Sequence, residues 1–229
     1  MTSHPSSLPV GDPVQTRDAA APSVAPLEGR FVRLVAPQAT HAPALFAGSH
    51  GGAETERVWT YLPYGPFASE EEMRGWLDRI AASKDPLFFT VLDGPSEEAI
   101  GLVSYLNIVA TDRRIELGHI WYVPAAQRGR ANTESAYLLM RRAFDELGYR
   151  RVEWKCDALN ARSRSAAERL GLTFEGVFRQ HMIVKGRNRD TAWFAITDEE
   201  WPARREAIER WLAAEDPASV SLRSLTAGL

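Results

Sequence analysis

The first clear alternation along the chain is Gly29-Arg30-Phe31-Val32-Arg33-Leu34-Val35, whose apolar and polar positions exchange as they do in a half-buried strand. A short helix is predicted over 39–48. After an irregular stretch, Ser69-Glu70-Glu71-Glu72 reads as a helix start, with Ser69 as N-cap and Glu72 completing a capping box. Met73, Trp76, Leu77 and Ile80 recur at helical spacing and form that helix's buried stripe. Residues 87–92 and 100–109 read as the limbs of a hairpin joined through Asp93-Gly94-Pro95-Ser96. A strand over 115–123 follows, stopped by Pro124, which has no N–H for a sheet ladder. Ala136, Leu139, Met140, Ala143, Phe144 and Leu147 then mark a helix over 133–148.

The second half repeats the alternation of types. Residues 151–156 form a strand with Val152, Trp154 and Cys156 on one face, and 160–170 a helix ending at Gly171. A closing hairpin pairs 174–184 with 191–196, turning at Lys185-Gly186-Arg187-Asn188. Asp198 is expected to cap a last helix holding Trp201, Ile208, Trp211 and Leu212. Residues 1–26, with Pro5, Pro9, Pro13, Pro22 and Pro26 and little aliphatic pattern, are expected to form a disordered tail. Residues 214–229 are expected to be loose. The reading is one mixed α/β domain over 27–213: an antiparallel meander, a strand–helix–strand unit, then a hairpin.

Composition narrows the classes of function. The net charge of -3 argues against a general nucleic-acid binder. Cys156 is the one cysteine, which excludes an internal disulfide and a cysteine-based zinc site. No apolar run is long enough for a bilayer and the start carries no signal-peptide pattern, so no membrane partner is expected and the cytoplasm is the default location. Lysine stands only at Lys84, Lys155 and Lys185. The arginine excess reads either as anion recognition by guanidinium forks or as a bias of the source genome.

The strand over 115–123, the polar turn Gln127-Arg128-Gly129-Arg130-Ala131-Asn132-Thr133-Glu134 and the following helix aim free N–H groups and a helix N-terminus at one point, as phosphate sites do. With Glu116-Leu117-Gly118, Asp157-Ala158-Leu159-Asn160-Ala161-Arg162-Ser163, Arg169-Leu170-Gly171, Glu175-Gly176 and Arg189-Asp190-Thr191, the chain resembles the GNAT superfamily of acyl-CoA-dependent N-acyltransferases, in its RimJ/RimL-like subgroup. The resemblance spans about residues 27–213. It implies a mixed, mostly antiparallel, splayed sheet flanked by helices, acetyl-CoA as acyl donor, an amine acceptor and, as is common in the family, a homodimer.

The resemblance also implies roles. The pantetheine arm would pair with the backbone of Ile120, Trp121, Tyr122 and Val123, where an N–H could hold an oxyanion. Gln127, Arg128, Gly129, Arg130, Ala131, Asn132 and Thr133 would meet the pyrophosphate, although Arg130 stands where the family has glycine. Arg128 and Arg130 could grip phosphate directly, or the segment could be a solvated basic loop.

Glu116 occupies the general-base position, and strand alternation would put it on one face with Gly118, Ile120 and Tyr122. Glu175 and His181 are weaker candidates for that role. Ala167 stands where many members carry an acidic tyrosine, and the subgroup instead implies Ser163 near the sulfur with Asn160 on the CoA arm. Helix capping accounts equally for Asn160 and Ser163. Trp59, Tyr61 and Tyr64, with His181, Arg179 and Asp190, would wall the acceptor pocket or merely pack a loop. An acyl-cysteine route through Cys156 lacks a recognisable histidine partner. A non-catalytic acyl-CoA sensor stays open as an alternative. A nucleotide-binding module would need a P-loop Gly-Lys-Ser/Thr, which is absent.

Overall fold

The computed structural model describes residues 8–216 and 219–229. Its centre is an eight-stranded sheet in the order β1-β2-β3-β4-β5-β6-β8-β7. The strands are β1 (Leu27–Glu28), β2 (Val32–Val35), β3 (Leu87–Asp93), β4 (Ala99–Val109), β5 (Arg114–Tyr122), β6 (Arg151–Asp157), β7 (Thr173–Val184) and β8 (Arg187–Thr197). Every neighbour pairs antiparallel except β5 and β6, which are parallel. That pair needs a crossover, and it is made by α4 (Ala131–Arg141), which runs on into a π-turn over Arg142–Glu146. The fold class is therefore the mixed, mostly antiparallel α/β sheet that the element order predicts.

Two cores lie on opposite faces. Ile115, Leu117, Val152, Trp154 and Phe194 pack with α4, α5 (Ala161–Arg169) and α6 (Trp201–Ala213). Leu102, Phe88 and Trp121 pack with α1 (Ala42–Ser49), α3 (Glu70–Ala81) and Trp59. The four-residue α2 (Ala53–Glu56) lies between α1 and Trp59. Ser69 caps α3 as predicted, accepting the Glu72 N–H at 3.2 Å, while Glu72 reaches back to the Ala68 N–H rather than to Ser69.

The alternation at 29–35 does not make one strand. Gly29–Phe31 turns the chain between β1 and β2 because the Glu134 carboxylate, in the first turns of α4, accepts the N–H groups of Arg30, Phe31 and Val32 at 2.8, 2.6 and 2.8 Å. A Cβ at Gly29 would lie 2.5 Å from that carboxylate, so glycine is what lets it approach.

The segments expected to be loose at both ends are partly seated. Ala19 is buried, the Ala19 and Ala20 N–H groups donate to the carbonyls of Ala110 and Leu147, and Arg142 holds Ser23 and Ala25. Near the C-terminus, α7 (Leu222–Thr226) buries Leu222 and pairs Arg223 with Glu168 at 2.8 Å. Contacts with distant parts of the chain, which composition does not encode, hold these proline- and serine-containing segments.

The closing hairpin turns through two residues. Lys185 and Gly186 both have positive φ (49° and 73°), as a type I′ connection requires, so β8 begins at Arg187 rather than at Thr191. Asp198 does not cap α6. Glu200 is the N-cap residue there and its carboxylate takes the Thr197 N–H at 2.8 Å.

Candidate active site

The ladder between β5 and β6 runs only from Arg114↔Arg151 to Leu117↔Trp154. Beyond it β5 and β6 are no longer paired, and His119–Tyr122 and Lys155–Asp157 form the two sides of a cleft in the sheet. On its other side β5 stays paired with β4, through Ser104↔Gly118, Leu102↔Trp121 and Gly101↔Tyr122. The Trp121 carbonyl lies against Gly101 on β4 and the Val123 N–H donates to Ile100 at 2.9 Å. Alternation then turns the backbone groups of Ile120 and Tyr122 into the cleft.

A bulge at His119 corrects the predicted faces. His119 has φ 50°, and the β4 register shifts between Leu102 and Ser104, so the alternation reverses there. Glu116 keeps the face of Gly118, but Tyr122 packs in the opposite core with Ile115 and Leu117. On Glu116's side the bulge presents His119 instead, its ring 5.6 Å from Tyr64 and 5.0 Å from Phe88.

Glu116 is buried on the floor of this side. Its Oε2 receives Lys155 Nζ and Asn107 Nδ2, each at 2.6 Å, while Oε1 accepts no hydrogen bond among the described residues. Burial raises its pKa, opposed by Lys155 and Asn107. One oxygen is anchored and the other is available, which suits a carboxylate that must take a proton. Glu175, the weaker candidate, is bound by Arg151 at 2.5 Å, and that pairing lowers its pKa. His119 is half-buried, with no partner on Nδ1; burial first, and then the charge of Arg189, lower its pKa to about 4.

An imidazole neutral in the fold but basic in the unfolded chain stabilises the fold fully above its ordinary value of 6.5, and that contribution is lost as pH falls toward 4. His119→Gln is therefore expected to flatten the pH dependence of unfolding free energy in this window by about 2 kcal/mol, measured by urea titration at several pH values.

On the opposite face, Asn160 caps α5 by accepting the Ser163 N–H at 3.1 Å. The Trp154 indole donates to Ser163 Oγ at 2.9 Å, which occupies a lone pair and leaves the hydroxyl as a donor beside the Cys156 sulfur. Cys156 is buried, and burial raises its thiol pKa, which disfavours a thiolate nucleophile.

The turn before α4 differs from expectation. Arg130 adopts a helical φ of -80°, and it is Arg128 that carries the positive φ, 64°. Arg130 donates to the carbonyls of Ala214 and Glu215 and lies 4.6 Å over the Phe31 ring, so its guanidinium is engaged within the chain. Arg128 and Gly129 are exposed, whereas Gln127 ties the turn to β5 by donating to the Tyr122 carbonyl at 2.9 Å. Ala131, Asn132 and Thr133 form the first turn of α4. Arg169, quoted in a motif but given no role from sequence, reaches Thr133 at 2.7 Å and Asn132 at 3.2 Å.

The aromatic segment is mostly packing. Trp59 is buried, donates to the Ser49 carbonyl at 3.1 Å and contacts Trp121, so it backs the pocket rather than lining it. Tyr61 donates to the Leu159 carbonyl at 3.3 Å, and Lys185 to the Trp59 carbonyl at 2.8 Å. Loop, β7–β8 hairpin and α5 entrance thus meet over the cleft. Tyr64 reaches His119, while His181 bonds Thr191 at 3.0 Å and borders an open concavity with Phe178, Arg179 and Asp190. Among the described residues no cluster of side chains suits a metal ion, and no helix is long and apolar enough to cross a membrane.

Known proteins share this fold. Residues 32–173 match the family model for the acetyltransferase (GNAT) domain. The chain belongs to the GNAT acetyltransferase family. A solved GCN5-related N-acetyltransferase from Brucella melitensis is 44% identical, with a TM-score of 0.86, over 91% of this chain and 97% of that one. The Bacillus subtilis (strain 168) protein YdaF, provisionally named a ribosomal N-acetyltransferase, is 28% identical over 105 residues, 46% of this chain and 57% of that one. The match thus spans little more than half of that curated relative. The Microcin C7 self immunity acetyltransferase MccE, solved in complex with acetyl-CoA and AMP, shares the fold at 18% identity and a TM-score of 0.65, over 74% of this chain and 93% of that one. As a GNAT protein the chain is an acetyltransferase, of a family that uses acetyl-CoA.

Proposed function

We propose that this acetyltransferase moves an acetyl group from acetyl-CoA directly to a primary amine of a small molecule or a protein N-terminus. The observation that carries the reading is the unpaired edge of β5 beyond Leu117, to which an extended donor arm can add as a strand adds to a sheet. The acetyl-CoA in the MccE complex, on the same fold, supports the choice of donor. In this reading the backbone of Ile120 and Tyr122 pairs with pantetheine, and exposed Arg128 with the first N–H groups of α4 meets the pyrophosphate.

The cleft joins the two faces of the sheet. The amine approaches from the Glu116 face and attacks the thioester carbonyl, whose oxyanion a cleft-facing N–H of β5 stabilises. Glu116 Oε1 takes the amine proton. The tetrahedral intermediate then breaks its C–S bond, and the Ser163 hydroxyl on the other face donates a hydrogen bond that stabilises the leaving thiolate, which takes its proton from water.

Thiol release from acetyl-CoA over a panel of amines tests the reading: turnover with at least one amine is expected, and none with any small amine or N-terminal peptide contradicts it. Ser163→Ala is expected to lower kcat about tenfold with the acetyl-CoA Kd little changed. A weaker Kd with unchanged kcat would move Ser163 from stabilising the leaving thiolate to binding the donor. Asn160→Ala should also cost about 1 kcal/mol of stability through the lost cap.

A further inference from the structure

Charge at the N-terminus of α4 is out of balance. No side chain caps the helix. Glu134, the acidic residue of its first turn, spends its carboxylate on the N–H groups of Arg30, Phe31 and Val32. The charge that does stand there has the wrong sign. Arg169, in the last turn of α5, donates to Thr133 Oγ1 at 2.7 Å and to Asn132 Oδ1 at 3.2 Å, where the helix dipole repels a cation.

Thr133 and Asn132 are uncharged, and among the described residues no carboxylate pairs with the Arg169 guanidinium. The group is nonetheless held in place. The Trp211 ring of α6 lies 5.8 Å from it, and the Thr226 hydroxyl of α7 donates to the Arg169 carbonyl at 3.3 Å. Two bonds leave the fork with N–H donors to spare. The Tyr122 side chain next to it is 5% exposed, and its hydroxyl has no hydrogen-bond partner. Donors outnumber acceptors in this corner, a costly arrangement for part-buried groups that an anion would relieve.

We infer that Arg169 is the fixed cation of the donor's pyrophosphate site, the place that the turn pattern offered to Arg130. Arg130 is engaged with the carbonyls of Ala214 and Glu215, and Arg128 is exposed. Arg169 instead touches the same first turn of α4 whose N–H groups would meet the phosphates. A diphosphate there accepts from the guanidinium fork and from the helix N–H groups together, and a repulsive contact becomes an ion pair. Pantetheine paired with Tyr122 leads directly into the pyrophosphate, whereas the 3′-phosphate of the donor lies beyond its ribose. The inference rests on the function proposed above and adds the residue that tells a phosphorylated donor from a bare thioester.

Calorimetry of the wild type with acetyl-CoA comes first; no binding removes the proposed function and this inference with it. Once binding is seen, Arg169→Gln is expected to weaken acetyl-CoA about 10–100-fold. It should weaken acetyl-dephospho-CoA, which lacks the 3′-phosphate, by the same factor. The kcat/KM for S-acetylpantetheine, which carries no phosphate, should stay unchanged. Arg169→Lys, which keeps the charge and loses the fork, should fall between wild type and Arg169→Gln. An equal loss with S-acetylpantetheine overturns the inference and makes Arg169 a brace between α4 and α5. Unchanged acetyl-CoA binding in Arg169→Gln overturns it too, as does a loss that disappears with acetyl-dephospho-CoA. Each of these three results leaves the donor cleft standing. If Arg169→Gln does not fold, Arg169→Lys with the same three donors decides.

Discussion

Replacing Glu116 by glutamine is expected to lower kcat/KM for the amine about 10²–10³-fold, because the free oxygen that would take the proton becomes a far weaker base. Lys155 would lose its ionic partner in the same variant, so a structural effect must be separated from a chemical one. Glu116→Gln combined with Lys155→Met restores charge balance; activity should stay lost while stability recovers. The pH dependence has a defined sign. Burial raises the Glu116 pKa and Lys155 opposes the rise, and only the carboxylate accepts a proton. The acid limb of wild-type kcat/KM should therefore lie above the ordinary carboxylate range, move to higher pH in Lys155→Met, and vanish in Glu116→Gln. Wild-type-like rates in Glu116→Gln would exclude it as the base.

Glu134→Ala is expected to produce the largest loss of stability, about 3–5 kcal/mol by denaturant unfolding. The carboxylate satisfies three consecutive N–H groups of the β1–β2 turn, and alanine would leave these part-buried donors unpaired. Glutamine can keep at most part of that arrangement, because one of its termini donates instead of accepting, so Glu134→Gln should lose less. Since Glu134 stands in the first turns of α4, next to Thr133, acetyl-CoA affinity should fall as well. A stability change below about 1 kcal/mol would mean the turn finds other partners, and this account of the β1–β2 connection would be wrong.

Much of this architecture is legible from sequence. The hydrophobic periods locate the helices and strands near their observed places, Ser69 caps α3 and Asn160 caps α5 as residue type suggests. The misreadings share a cause: each needed a backbone angle or a distant partner. Period-2 logic put Tyr122 on the Glu116 face, and a single positive φ at His119 reverses it. Arg130 was expected to occupy a strained glycine position, yet the positive φ falls on Arg128 and Arg130 is spent on the carbonyls of Ala214 and Glu215, far along the chain. Lys155 and Asn107 gave no signal at all, because only the register of β4, β5 and β6 brings them to Glu116. Trp59, read as a pocket wall, is buried by contacts with Ser49 and Trp121 that no local pattern reveals.

The central claim is that the donor adds to the open edge of β5. Residue-resolved amide hydrogen exchange, with and without acetyl-CoA, addresses it most directly. The Ile120 and Tyr122 amides should exchange readily in the free protein and gain protection when acetyl-CoA binds, together with the amides that open α4. Binding that leaves β5 unprotected, or protection confined to the exposed turn at Arg128, would contradict the account and place the donor elsewhere.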